Sequence, residues 1–214
     1  YGYRYDPCGR QTRRERYVFK KVKNPALPAG SMGFARGFVP GGEPPMLETR
    51  EYDAWGRLTC VTRDSAAVTY TLRPDGLRDE KTVSRYGAPD QTTRYRWDGE
   101  DMAAIEENGT TTHYLRGADL AASETGGRLL YYLHDAHGDV TEVVDASGNS
   151  LASYEYDAFG NEQDPDAGDT NPFRYCGEYW DIHTNALYLR ARDYKPGIGR
   201  FLSQDIHWNT GNRI

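Results

Sequence analysis

The sequence predicts an all-β chain of consecutive β-hairpins with little helix. Three observations carry this. A tetrad, D-x-x-G, recurs at Asp6–Gly9, Asp53–Gly56, Asp135–Gly138, Asp145–Gly148 and Asp157–Gly160. The segments that flank the tetrads read as short strands rich in Tyr, Val and Thr, which favour strands. No stretch sustains the 3.6-residue apolar period of an amphipathic helix.

The tetrad has the chemistry of a type I turn continued into a left-handed residue. The Asp carboxylate accepts a backbone N–H two residues on, and Gly supplies the positive φ. Such a turn closes a hairpin with a bulge. In "YDPCGR", "YDAWGR" and "YDAFGN" a tyrosine (Tyr5, Tyr52, Tyr156) stands immediately before the Asp.

The elements follow in order. The chain opens on "YGYRYDPCGR", already inside a motif, which reads as an internal piece of a longer protein. Residues 24–47 hold five Pro and five Gly and read as an irregular loop between repeats. "RLTCVTRD" and "TTRYRWDG" are expected strands, and "EENGTTTHYLRG" a hairpin about Asn108-Gly109. The run from "RLLYYLHD" through "DVTEVVD" to "NSLASYEYD" reads as three strands joined by turns, with glycines 10 and 12 residues apart. Self-similarity of this kind marks a repeat protein, in which one hairpin cannot bury its own face and neighbours must stack. "RARDYKPGIGRFLSQD", residues 190–205, reads as a closing hairpin with arms 187–194 and 200–205. Lys195 is then opposite Arg200, and Arg192 and Asp205 share one face.

Composition narrows the function classes. The 214 residues carry a net charge of −6, with 17 Tyr against 6 Phe, and 21 of the 26 basic residues are Arg. Tyr and Arg together suit broad, half-wet β-surfaces, since a guanidinium stacks on rings while hydrogen-bonding at its edge. The acidic total argues against a nucleic-acid partner, and no apolar run approaches the roughly 18–20 residues of a membrane span. Cys8, Cys60 and Cys176 are odd in number and far apart, without CxxC, so neither a disulfide framework nor a zinc site is expected. His134, Asp135 and His137 share one turn and read as a solvated hairpin end, not as metal ligands; no metal or other cofactor is expected. Trp55, Trp97 and Trp180 are candidate sugar platforms, with packing as the plainer alternative.

The stretch "YDAWGRLT" at 52–59 resembles the YD repeat of RHS proteins. The series "YYLHDAHGDVTEVVDASGN", "YEYDAFGN", "NPFRYCGEYWD" and "LYLRARDYKPGIGRFLSQD" resembles the RHS repeat-associated core, here residues 131–208. Residues 1–130 match as degenerate YD repeats, and 209–214 as the start of a following segment. The resemblance implies a spiral β-sheet shell that encloses a C-terminal polypeptide, commonly a toxin, as in ABC toxin complexes and contact-dependent toxins. The implied partners are the rest of the same chain and the enclosed toxin. A secreted or cell-surface bacterial protein follows from the family alone, and a carbohydrate- or surface-binding β-module is the rival reading.

In self-cleaving members the core is thought to use an aspartyl-protease-like arrangement of an Arg, an Asp after Gly-Arg-Phe, and a second Asp downstream. By motif position, Gly199, Arg200 and Phe201 carry the marker, and Arg192 and Asp205 the first two roles. The second Asp belongs to a terminal Asp-Pro-x-Gly element, which does not occur after Asp205 in these 214 residues. Two carboxylates sharing a proton divide acid and base roles, whereas a lone carboxylate beside an Arg is a poor general acid. The alternative is a cross-strand ion pair contributing roughly 0.2–1 kcal/mol. The sequence also departs from the family at Asp193-Tyr194-Lys195-Pro196, where Tyr-Tyr-Asp-Pro is usual, and at Ile206, where Pro is expected. Chemistry by this chain alone is therefore not expected.

Overall fold

The computed structural model describes residues 2–6, 10–15, 47–63, 66–203 and 205. Thirteen strands form one sheet in strict chain order. They are β1 (Gly2–Tyr5), β2 (Gln11–Glu15), β3 (Leu47–Tyr52), β4 (Leu58–Arg63), β5 (Ala66–Leu72), β6 (Arg78–Arg85) and β7 (Gln91–Asp98). The series continues with β8 (Asp101–Glu107), β9 (Thr110–Arg116), β10 (Leu120–Thr125), β11 (Arg128–His134), β12 (Val140–Asp145) and β13 (Ser150–Ser153). A second sheet holds β14 (Tyr179–Asp181), β15 (Ala186–Leu189), β16 (Arg192–Lys195) and β17 (Arg200–Phe201), again each beside the next. All pairings are antiparallel, and the described residues hold no α-helix, only 3-10 turns at Tyr175–Gly177 and Pro196–Ile198. The all-β hairpin fold is what the turn chemistry predicts.

The tetrads at Asp53, Asp135 and Asp145 each close a hairpin between strands, and the one at Asp157 closes a single bridge, Tyr156–Glu162. At Asp53 the Oδ1 atom accepts the N–H of Trp55 at 3.0 Å and of Arg57 at 2.9 Å, and Gly56 sits at φ 81°. The register slips by one residue between Glu51 and Tyr52, the bulge such a turn demands. The same slip accompanies the turns at Asp135 and Asp145. Gly9 and residues 24–46 lie outside the described residues. "RPDG" at 73–76 makes the same turn without the Asp: Gly76 N–H donates to the Arg73 carbonyl at 2.9 Å, with φ 95°. Asn108 and Gly109, at φ 52° and 75°, form the two-residue turn from β8 to β9.

The long sheet has two unlike faces. Val68, Tyr70, Val83, Thr93 and Tyr95 point into one and are buried, while Thr69, Thr71, Arg94 and Arg96 alternate with them on the solvent side. Surface ion pairs such as Arg94–Glu80 at 3.0 Å line the outer face. The buried face is covered by residues 154–203, which fold back across it. Tyr95, Met102, Ile105, Leu120, Tyr132, Val140 and Val143 from the sheet pack with Tyr154, Phe173, Tyr179 and Tyr188 from the covering layer.

Two expected elements differ. The strand read from "NSLASYEYD" stops at Ser153, because Tyr154 turns its ring into the core, under the Arg174 guanidinium and with its hydroxyl on Asp169. The arm expected at 187–194 is two strands, since Arg190 takes φ 57° and reverses the chain between β15 and β16. The hairpin at Pro196–Gly199 does pair Lys195 with Arg200.

Candidate functional site

Where the C-terminal layer meets the long sheet, charged side chains are buried together. Arg78 is 1% exposed, its guanidinium held between the rings of Tyr70 and Tyr188 at 3.8 and 4.0 Å. It donates to Asp193 at 2.6 Å and reaches Asp181 at 3.4 Å. The Tyr70 hydroxyl donates to Asp181 at 2.7 Å, and Lys81 stands 3.5 Å from the same carboxylate. A second knot joins Glu48 to Arg50, to Arg63 at 2.6 Å and to Lys195 at 3.5 Å.

The two aspartates around Arg78 differ for a physical reason. Burial pushes both carboxyls up, but Lys81, Arg78 and the Tyr70 hydroxyl outweigh it at Asp181 and hold it below the ordinary range. Asp193 has Arg78 as its main counter-charge and feels Asp181 beside it, so burial wins and its carboxyl is raised. Burial likewise acts first on Glu48, where Arg50, Lys195 and Arg63 together turn the shift downward. Removing one partner from such a network leaves the others as uncompensated buried charges.

The residues singled out from sequence fall into three places. Arg192 and Asp205 form an ion pair at 3.2 Å near the surface, with side chains 26% and 50% exposed, and Arg192 stacks on Phe201 at 3.7 Å. Gly199 takes φ 61°, and a Cβ there would meet the Phe159 ring at 3.1 Å, so the Asp157–Gly160 turn touches the Gly199-Arg200-Phe201 marker directly. The Tyr194 hydroxyl donates to the Phe159 carbonyl at 2.9 Å, tying the same two segments. Arg200 lies on β17 opposite Lys195.

The motif tyrosines act as long-range ties. The Tyr52 hydroxyl lies 3.0 Å from the carbonyls of both Gln11 and Leu202, and Tyr156 donates to the Val140 carbonyl at 3.0 Å. Tyr5 closes β1, and Asp6 receives the Arg10 N–H at 3.0 Å and its Nε at 2.5 Å. Asp135, Asp145 and Asp157 each accept the N–H two residues on, with Gly138, Gly148 and Gly160 at φ 80–88°. His134 is held between the carbonyls of Gly138 and Leu120. Of the tryptophans, Trp55 is 71% exposed, Trp97 donates its indole N–H to the Arg78 carbonyl, and Trp180 is half-buried.

Sequence reading missed Arg78, Lys81, Asp181 and Glu48, and noted Asp193 only as a departure. The available signal was the charge-rich run "GLRDEKTV" after a turn, where Arg78 and Lys81 fall on the buried face only because a bulge at Leu72 shifts the alternation.

Among the described residues no helix is long and apolar enough to cross a membrane. The family model for the RHS repeat matches residues 134–166. The tRNA(Glu)-specific nuclease WapA of Bacillus subtilis subsp. natto is 40% identical over 169 residues, 73% of this chain and 7% of that protein. The tRNA3(Ser)-specific nuclease WapA of Bacillus spizizenii is 37% identical over the same share of each. This chain thus spans 7% of the length of these relatives. Among solved structures, TcdB2-TccC3 matches with TM-score 0.59 and 21% identity over 74% of this chain and 9% of that one. TcdB2-TccC3-Cdc42 matches with TM-score 0.61 and 16% identity over 95% of this chain and 14% of that one, a likeness of fold. The repeated turns, the chain-order hairpins they close and these relatives agree: the chain belongs to the RHS/YD-repeat family.

Proposed function

We propose that this chain is a wall segment of an RHS shell that, in a longer secreted or surface-associated bacterial polypeptide, encloses a C-terminal toxin. Residues 1–130 supply YD-repeat wall, and 131–208 the core segment preceding the toxin. The observation that supports this best is the unbroken order of thirteen antiparallel strands with one face covered by a folded-back C-terminal layer. A sheet extended by adding hairpins grows without changing its chemistry, as a container wall requires. The buried charges fix where the layer docks, and therefore where the following polypeptide would leave the wall.

A second reading concerns Arg192 and Asp205 as part of a cleavage site completed by a downstream carboxylate. Their 3.2 Å approach and the exposure of Asp205 favour it. One experiment addresses both readings. The longer polypeptide containing this segment is treated with a broad-specificity protease, native and after mild denaturation. The C-terminal part is expected to survive only in the native sample; digestion as fast as when it is expressed alone would remove the enclosure reading. On the same gel, Asp205→Asn is expected to abolish a cut present in the wild type, and an uncut wild type would end the cleavage reading.

A further inference from the structure

We propose that His137, Asp139 and Cys176 bind one Zn2+ ion, with a fourth position open to water, where the β11–β12 turn meets the Tyr175–Gly177 turn. Their donor atoms, an imidazole nitrogen, a carboxylate oxygen and a sulfur, all lie within 4.8 Å of one another. The Asp139 Oδ1 is 2.9 Å and the Cys176 Sγ 3.9 Å from His137 Nδ1, so shifts of about 0.4 Å bring both to the roughly 3.3–3.6 Å edges of a tetrahedron around a metal with bonds of about 2.0–2.3 Å. Mixed sulfur, nitrogen and oxygen donors suit Zn2+ rather than the oxygen-seeking Mg2+ or Ca2+.

The backbone holds these donors together before any ion arrives. Asp135 Oδ1 accepts the N–H groups of both His137 and Asp139, which sets the turn. Cys176 takes φ 54° and Gly177 φ 62°, two successive left-handed residues that turn this segment towards the hairpin end. The Cys176 N–H donates to Asp139 Oδ1 at 2.7 Å, and a Cβ on Gly177 would lie 3.3 Å from the Gly138 carbonyl. Asp139 is buried, while His137 and Cys176 are exposed, so an ion can enter from solvent.

A nucleophilic Cys-His-Asp relay does not fit. A relay uses the two ring nitrogens for different partners, whereas here carboxylate and sulfur both face Nδ1. A His137–Asp139 ion pair alone leaves the converging sulfur unexplained. The ion would cross-link the hairpin turn to a segment 39 residues away in sequence, a separation that ligand spacing along the chain does not reveal.

The test uses the 214-residue chain, reduced and freed of metal with a chelator. Co2+ is added as a spectroscopic probe, then Zn2+ in competition with a chromophoric chelator. Expected are a thiolate-to-Co2+ charge-transfer band with tetrahedral d–d intensity, and one equivalent of Zn2+ per chain. Cys176→Ser should lose the band, and Cys176→Ser and His137→Ala, both at exposed positions, should weaken Zn2+ by at least about tenfold. Cys60→Ser should change neither. Absence of the band in the wild-type chain, or unchanged Zn2+ affinity in Cys176→Ser, would overturn the proposal.

Discussion

The aspartate of each D-x-x-G turn grips more than its own tetrad. At Asp53, Asp135, Asp145 and Asp157 its Oδ1 takes the backbone N–H of the residues two and four positions on, and at four turns its Oδ2 takes the side chain at the fourth: Arg10, Arg57, Asn149 and Asn161. At Asp53 burial raises the carboxyl, but the Arg57 N–H and guanidinium more than reverse this and hold it low. At those four turns the working motif is D-x-x-G-[RN], and the glycines are not equivalent. Gly148 needs only its φ of 80°, with open space where a Cβ would go. Gly160 has φ 84° and the Tyr175 ring 2.5 Å from that Cβ position, so an added methyl also forces the ring away. Gly148→Ala is expected to cost about 1–2 kcal/mol and Gly160→Ala about 2–4 kcal/mol in urea unfolding. Equal losses would mean that the Tyr175 contact carries no weight.

At the scale of elements, hairpins were legible because a turn's requirements are local: an acceptor, a positive φ and a fixed count of residues. The strand's end at Ser153 was not, because the alternation of "YEYD" continues while the pairing dwindles to one Tyr154 N–H on the Thr141 carbonyl and the Tyr154 and Tyr156 rings join the covering layer. Residues 187–194 failed similarly, since the reversal at Arg190 has neither Gly nor Asn to announce it. Among the side chains that join the two sheets, Arg78 reaches from the start of β6 to both Asp181 on β14 and Asp193 on β16. Arg78→Met keeps much of the volume but leaves both carboxylates without their shared cation. The expected loss is about 3–5 kcal/mol, as for other broken buried pairs. It is read as a lowered urea midpoint together with faster proteolysis of residues 179–203; an unchanged midpoint would show that the network does not hold the layer.

For the whole molecule the buried charges set a dependence on acid. Glu48 and Asp181 have folded pKa values below their ordinary 4.5 and 3.8, so their contribution is complete above those values and is lost as pH falls through the lower folded ones. Asp193 is raised above 3.8 and works in the opposite sense: protonation while folded partly offsets that loss. The urea midpoint at constant salt is expected to fall as pH drops below 4.5, and Glu48→Gln should flatten the fall. A midpoint insensitive to pH across this range would contradict the assignment.

The sequence by itself determined the all-β class, the hairpin ends and the family, because each rests on residues a few positions apart. Only the tertiary structure decided that residues 154–203 fold back over the sheet they follow. That layer meets Gln11 and Tyr52 through Leu202 and Val140 through Tyr156, in pairings 16 to more than 100 residues apart, which no local pattern encodes. It also decided that "RARDYKPGIGRFLSQD" splits its charges, with Asp193 buried against Arg78 and Arg192 outside with Asp205. The alternation of a strand sends neighbouring residues to opposite faces, but which face becomes interior depends on what packs there.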